Sequence, residues 1–171
     1  MNSNCWILKQ ETYNVDEITR QIEDYIDVRG CKRVFIKPNM VINPWKGEED
    51  DWIATVTHPS IIEAVLRVLK KQSNGTMEVI IGDAPMARSR HKETLRLLGL
   101  KSLIAKYNAP DFPITLIDIR QWYWKHIANM CVSRQKLEGD PKGIIPVNLF
   151  ADSVFADKPN KNFEAFVLSE Q

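Results

Sequence analysis

A strand, a long loop and a helix near the start of the chain decide its fold. Residues 33–69 read RVFIKPNMVINPWKGEEDDWIATVTHPSIIEAVLRVL. The apolar run near the start of this stretch predicts a strand over 33–37, which ends at Pro38 because proline has no N–H for a sheet ladder. Residues 57–60 predict a helix start, since Pro59 suits the first helical position and apolar residues follow at helical spacing. Strand, loop and helix in this order form the unit of a parallel α/β sheet.

The same unit recurs further along the chain. Apolar runs predict strands over 77–81 and 114–117, with two helices between them that end near Gly99 and Pro110. Ser89 is a candidate cap for the first of these helices. Because parallel strands need crossover connections, we predict a three-layer, mostly parallel, doubly wound (Rossmann-like) sheet with helices on both faces.

The two ends of the chain carry weaker signals. Residues 5–8 predict a short strand, and a capping-box spacing predicts a helix over 15–27. Residues 121–133 lack helical spacing and predict extended structure or an arm. We assign 1–155 to a single α/β domain and 156–171 to a loop or an incomplete C-terminal extension. A turn over 139–143 and a weak strand over 145–149 fall within that domain.

The composition excludes several classes of protein. The formal net charge of the 171 residues is +1, which disfavours nucleic acid as the main partner. No apolar run approaches the length of a membrane span, and the first residues do not form a signal peptide. The three cysteines lie far apart, which argues against a disulfide framework and favours the reducing cytoplasm.

Polar side chains follow each predicted strand, and the carboxyl ends of parallel strands share one edge of the sheet. Asp83 and His58 are the candidate catalytic residues, because a carboxylate and an imidazole can exchange protons or bind a metal. A helix start beside a lysine suits a phosphate or carboxylate. The candidate ligand-binding residues are Lys37, Asn39, Thr57, Ser60, Gly82, Arg88, Arg90, Asp118 and Arg120.

Each candidate also has a structural explanation. Lys37 could be solvated, Asn39 could brace its own turn, and His58 could cap a helix. Residues 88–91, which include His91, could be an exposed basic helix start. The long loop over 38–56 is either a binding element or a solvated insertion that its tryptophans pack down.

Several standard signatures are absent from the sequence. It contains no dinucleotide-binding G-x-G-x-x-G, no P-loop and no G-x-S-x-G elbow. The three histidines never pair at the spacing of a helix-borne zinc site. We therefore assign no residue to a metal site, and a possible metal or iron–sulfur association and the cofactor are left open.

Four motifs resemble those of the family called domain of unknown function 362. They are residues 35–41 (FIKPNMV), 57–59 (THP), 79–85 (VIIGDAP) and 139–143 (GDPKG). The resemblance implies an α/β fold, and the greater length of family members implies that this chain corresponds to their N-terminal half. Some members carry ferredoxin-like iron–sulfur clusters in a cysteine-rich segment that this sequence does not contain. The family is also distantly similar in fold to the N-terminal domain of nickel-dependent lactate racemase.

Three hypotheses for function are left open. The leading one is an enzyme, or part of one, that binds a small anionic metabolite and does not contact nucleic acid or membrane. The second is a redox accessory protein that docks an iron–sulfur partner. The third is a truncated, non-catalytic binding module. Homo-oligomerisation or a partner subunit is compatible with each of them.

Overall fold

The computed structural model describes residues 7–9, 11–44, 49–127 and 130–143. The helices are α1 Val15–Ile22, α2 Glu49–Trp52, α3 Pro59–Gln72, α4 His91–Leu97 and α5 Leu100–Tyr107. The strands are β1 Arg33–Ile36, β2 Glu78–Asp83, β3 Ile114–Asp118, β4 Trp122–Ile127 and β5 Met130–Lys136.

The first three strands form a parallel sheet in the order β1-β2-β3. Val34 pairs with Val79, which pairs in turn with Ile114. The three strands therefore run in the same direction with these residues side by side. At the far end, Asp83 lies beside Asp118. The mixed α/β class is therefore confirmed, and the carboxyl ends of the three strands meet at one edge, as the crossover rule requires.

The described helices and one face of the sheet enclose the core. Side chains from alternate positions of the strands, among them Val34, Val79 and Ile114, join this core. Both α1 and α5 pack against α3. Right-handed crossovers between consecutive neighbours place their helices on the same face of a sheet. Phe35 lies on the opposite face and is 47% exposed, and no described helix forms the predicted second layer there.

The segment after β3 is a hairpin. β4 and β5 pair antiparallel, with a bulge between Lys125 and His126. The Trp124 N–H donates to the Ala87 carbonyl, which joins the hairpin to the loop after β2. The prediction of extended structure over 121–133 is confirmed for the described residues of β4 and β5. The pairing of these two strands with each other was not predicted, because the spacing within one strand does not identify its partner.

Several helix and strand boundaries differ from those predicted from the sequence. β2 runs two residues further than predicted, because Gly82 and Asp83 pair with β3. Ser89 does not cap α4: Arg90 occupies that position without a side-chain cap, and the Ser89 hydroxyl accepts from the Asn43 N–H. Three further boundaries differ as follows: α1 ends at Ile22 and continues as a 3₁₀ turn to Tyr25, β1 ends at Ile36, and the loop over 38–56 contains α2 and a 3₁₀ turn over Ile53–Thr55.

Some predictions concern residues that the structure does not describe. The described part of the predicted strand over 5–8, Ile7 and Leu8, has no strand conformation. The rest of that strand, the weak strand over 145–149 and the assignment of 156–171 lie outside the described residues. No helix formed by the described residues is long and apolar enough to cross a membrane.

Candidate functional site

The edge of the sheet where the parallel strands end carries a row of charged side chains. Asp83 ends β2, Asp118 ends β3, and Lys37 and Arg120 follow β1 and β3 in sequence. The parallel register places these chain segments side by side. The predicted site residues therefore gather at one edge, but they divide into a β1 side and a β3 side with different surroundings.

On the β1 side, a buried carboxylate joins two chain segments. Asp83 is 3% exposed. One of its oxygens accepts from the Met40 N–H at 2.7 Å, and the other lies 2.8 Å from the exposed Lys37 ammonium. Both oxygens are thus engaged by groups of this chain, which satisfies a charge that would be costly to bury alone.

Asn39 and Thr57 bind each other across the base of the long loop. The Asn39 N–H donates to the Thr57 hydroxyl at 2.8 Å, and the Thr57 N–H donates to the Asn39 carbonyl at 2.8 Å. The Asn39 amide also donates to the Thr55 carbonyl. These bonds close the loop, so both residues serve to position it, as the structural explanation of Asn39 anticipated.

His58 caps α3. Its Nδ1 accepts from the Ser60 N–H at 3.2 Å, and its ring stacks on Tyr13 with centroids 3.7 Å apart. Burial lowers the pKa of His58, which favours the neutral form that a cap requires. The one described contact of Ser60 with this ring is made through its backbone.

Gly82 allows β2 and β3 to approach each other closely. A Cβ placed on Gly82 would lie 2.6 Å from the Ile117 Cγ1 atom. Contacts under 3 Å between carbon atoms are repulsive, so a side chain here would displace Ile117. The structure gives Gly82 a packing role at the edge of the sheet.

On the β3 side, the buried Arg120 side chain joins β3 to the loop after β2. Its guanidinium binds both oxygens of Asp118, at 2.9 and 2.6 Å. The same group donates to three backbone carbonyls, those of Met86, Ala87 and Ser89. A planar guanidinium group can donate to several acceptors at fixed angles. Arg120 therefore holds this loop against the end of β3.

The set of hydrogen bonds from Arg120 to Asp118 and the three carbonyls is called the Arg120 clamp. A cavity of about 810 Å³ opens beside it, between the start of α4, the end of β3 and the hairpin. This volume lies within the range of small-molecule sites, roughly 300–1,000 Å³. Three predicted ligand-binding residues line it, Arg90, Asp118 and Arg120, whereas Arg88 lies outside the lining. The remaining lining residues are Ser89, His91, Lys92, Leu116, Ile117, Tyr123, Gln135, Lys136, Leu137, Glu138, Gly139 and Pro141.

His91 is the unusual side chain of this cavity. It is 8% exposed, so it is not part of an exposed helix start. Its Nδ1 lies 3.7 Å from an Asp118 oxygen, and its Nε2 is buried without a hydrogen-bond partner among the described residues. Burial lowers the pKa of His91, as does Arg120, while Asp118 and Asp83 act in the opposite direction. The net lowering favours a neutral imidazole.

The walls of the cavity are positively charged. Four basic side chains line it, Arg90, Lys92, Arg120 and Lys136, against two carboxylates, Asp118 and Glu138. Arg120 is engaged by Asp118. Among the described residues, no ion pair engages Arg90, Lys92 or Lys136. A chain of net charge +1 thus places around this cavity three cations that have no ion-pair partner in the described part of the chain.

Within the described ranges, no group of three or more His, Cys, Asp or Glu side chains is arranged to hold a metal ion.

A family model described as Domain of unknown function (DUF362) matches residues 34–139. The chain belongs to this family. No curated protein and no solved structure matches it. The predicted resemblance is therefore confirmed, and the matched DUF362 span runs from β1 to the glycine that begins the turn over 139–143.

The hairpin side of the cavity was not predicted from the sequence. Tyr123, Gln135 and Lys136 reach it only because β4 and β5 pair and fold back beside Arg120. The aromatic run at Trp122 carried a usable signal, since aromatic residues favour strands. The turn over 139–143 was predicted, and there the Gly143 N–H donates to the Asp140 carbonyl.

Proposed function

We propose that this domain binds a small anionic metabolite, through a phosphate or carboxylate group, in the cavity between α4, β3 and the hairpin. The observation that carries the proposal is a set of exposed cations, Arg90, Lys92 and Lys136, that line one half-open cavity in a chain of net charge +1. None of the three forms an ion pair with another described residue. Cations in a cleft raise the local concentration of anions, and their N–H groups bind the oxygens directly.

The proposal also assigns the domain to an enzyme, or to part of one. The His91 imidazole lines the cavity beside the Asp118 carboxylate, and an imidazole oriented by a carboxylate is a common general base in enzymes. His91 supports this role better than the predicted pair of Asp83 and His58. The Asp83 oxygens are engaged by Lys37 and Met40, and His58 is engaged as a cap.

Calorimetric titration with inorganic phosphate tests the anion site. The double variant Arg90→Gln/Lys92→Gln should weaken phosphate binding by about 5- to 30-fold, because each cation contributes about 0.5–1 kcal/mol. Lys101→Gln removes an exposed cation of α5 that does not line the cavity, and it should leave binding unchanged. Equal loss in both variants would show a non-specific charge effect. No binding by the wild type would favour the redox-accessory hypothesis.

We also propose that the parallel sheet belongs to the three-layer, doubly wound fold, and that the chain works in the cytoplasm. The exposure of Phe35 on the face opposite the helices supports a further layer. Cys31 and Cys131 are exposed free thiols, which persist where the surroundings are reducing.

A further inference from the structure

The outer strand of the hairpin, β5, has an open side. All seven residues of β5 are exposed, and among the described strands β4 is its one neighbour. The opposite side of β4 is held by the bond from the Trp124 N–H to the Ala87 carbonyl. A two-stranded hairpin is marginally stable in water, and a third strand makes such a sheet more stable. The open side of β5 is therefore a place where another extended chain would add stability.

The register shows which backbone groups point to this open side. In an antiparallel pair, residues that follow one another point their N–H groups to opposite sides of the strand. The Leu137 N–H donates to the Gln121 carbonyl and so points towards the chain of β4. The N–H of Lys136, directly before it, points outward, where the described part of the chain supplies no strand. Backbone groups along such an edge can pair with an extended segment of another chain.

The charge of the hairpin determines which segment suits this edge. Residues 122–136 contain three exposed cations, Lys125, Arg134 and Lys136, and no Asp or Glu. Opposite charges on neighbouring strands stabilise a sheet, whereas like charges destabilise it. A second copy of the chain that paired along β5 would bring its own three cations to the same edge. A strand that carries carboxylates is therefore favoured over self-pairing.

The tip of the hairpin adds an apolar surface. Ile127, Met130 and Val132 are 59%, 68% and 50% exposed, and Ile127 pairs with Met130 in the register. Burial of apolar area stabilises a complex in proportion to the area removed from water. A segment that alternates acidic and apolar residues would meet both the cations and this tip.

We propose that β5 binds an extended acidic segment of a partner protein, which joins the hairpin as a third strand. Its backbone pairs with the open side of β5, and its carboxylates lie near Lys125 and Arg134. These two cations lie outside the lining of the anion cavity, so this surface is separate from the proposed metabolite site. A nucleic acid would meet the same cations, but it has no peptide groups to extend the sheet.

Two heptapeptides with blocked ends test this proposal. In one, glutamate alternates with valine, and in the other, lysine replaces each glutamate. In an NMR titration the acidic peptide should bind the wild-type protein about tenfold more tightly than the basic one, because cross-strand charge pairs are favourable. Methylation of alternate backbone nitrogens of the acidic peptide, which removes donors needed for the ladder, should abolish this binding.

Variants of the hairpin locate the contact. Lys125→Gln/Arg134→Gln should weaken binding of the acidic peptide by about 3- to 10-fold. Lys101→Gln, at an exposed position of α5, is the control and should bind as the wild type does. Arg90→Gln/Lys92→Gln changes the anion cavity and should also retain peptide binding.

Hydrogen exchange of the wild type covers the case in which the hairpin variant does not fold. Saturation with the acidic peptide should slow exchange of the Lys136 amide by about tenfold or more, because a new ladder bond protects it. The Leu137 amide is already bonded to Gln121, and its exchange should slow much less.

Five results would overturn the proposal. Equal binding of the two peptides would remove the preference for acidic partners, and binding without protection of the Lys136 amide would exclude strand addition. Loss of peptide binding in Arg90→Gln/Lys92→Gln would place the carboxylates in the anion cavity. A dimer of the protein alone in which the Lys136 amide is protected would assign β5 to a second copy. Tighter binding of oligothymidylate than of the acidic peptide would assign the cations to nucleic acid.

Discussion

Arg120 shows how one side chain can fix the shape of the candidate site. Its guanidinium binds Asp118 and three carbonyls of the loop after β2, and it is only 4% exposed. Each of these partners would lose a buried hydrogen bond without it. The predicted ligand-binding role of Arg120 stays a prediction, but the contacts of the described residues give it a positioning role.

Removing the Arg120 fork should destabilise the protein strongly. Arg120→Met leaves Asp118 without its cation and should lower the free energy of unfolding by about 3 kcal/mol. Arg120→Lys keeps the charge but cannot reach all four partners, so it should recover only part of the loss. Urea unfolding measures both. Arg20→Gln, at an exposed position of α1, is the control, and a loss as small as in this control would contradict the clamp.

The pair of Lys37 and Asp83 makes a second prediction at this scale. Lys37→Met leaves a buried carboxylate with the Met40 N–H as its described donor, and it should lower the free energy of unfolding by about 1–2 kcal/mol. Adding Asp83→Asn removes the unpaired charge, so the double variant should be more stable than the sum of the single losses predicts. Lys32→Met, at an exposed position before β1, is the matched control. Additive losses would show that the contact does not couple the two residues.

At the scale of elements, the start of α3 depends on an uncharged histidine. The His58 Nδ1 accepts from the Ser60 N–H and cannot do so once it is protonated. A cation at a helix N-terminus also opposes the helix dipole. The stability of the first turn of α3, the longest described helix, therefore depends on pH.

Stability should therefore fall in mild acid. Burial lowers the pKa of His58 in the folded state, so the unfolded chain binds this proton more readily. The stabilising contribution is present above the unfolded pKa of about 6.5, and it is lost as the pH falls below that value toward the folded pKa. His91 acts in the same sense.

The variant His58→Asn isolates the cap from His91, because asparagine caps helices but does not titrate. Urea unfolding at pH 8 and pH 5.5 should show that the wild type loses about 1 kcal/mol more than this variant between the two conditions. An identical loss in both proteins would assign the acid sensitivity to other groups.

The close approach of β2 and β3 makes a prediction about packing. Gly82→Ala should lower the free energy of unfolding by about 1–3 kcal/mol, because the new methyl group meets Ile117 at 2.6 Å. Combining it with Ile117→Ala should cost less than the two single losses together, since the smaller side chain makes room. Additive losses in thermal unfolding would contradict this account.

At the scale of the whole molecule, the two faces of the sheet differ. Val34 and Ile36 pack against the core, whereas Phe35 between them is 47% exposed among the described residues. In the proposed three-layer fold, a second layer of helices would cover Phe35. Phe35→Ala should then lower the free energy of unfolding by about 3 kcal/mol, close to the loss for the fully buried Phe112→Ala. A loss below about 1 kcal/mol would argue against a second layer.

The sequence alone located the three parallel strands, the start of α3 and the edge of the sheet that carries the polar residues. Apolar runs at 33–37, 77–81 and 114–117 located the parallel strands, because strands buried in a sheet must be apolar over several consecutive residues. Pro59 located the start of α3, since proline tolerates only the first turn of a helix. These signals are local, so a single chain displays them.

Tertiary structure alone decided which polar residues share a cavity. His58 and His91 both precede or begin helices in the sequence, yet one is used as a cap and the other lines the cavity beside Asp118. The difference arises because the hairpin returns to the end of β3 and encloses His91 with Lys136. Burial and partner choice depend on contacts between residues distant in sequence, and no local spacing encodes them.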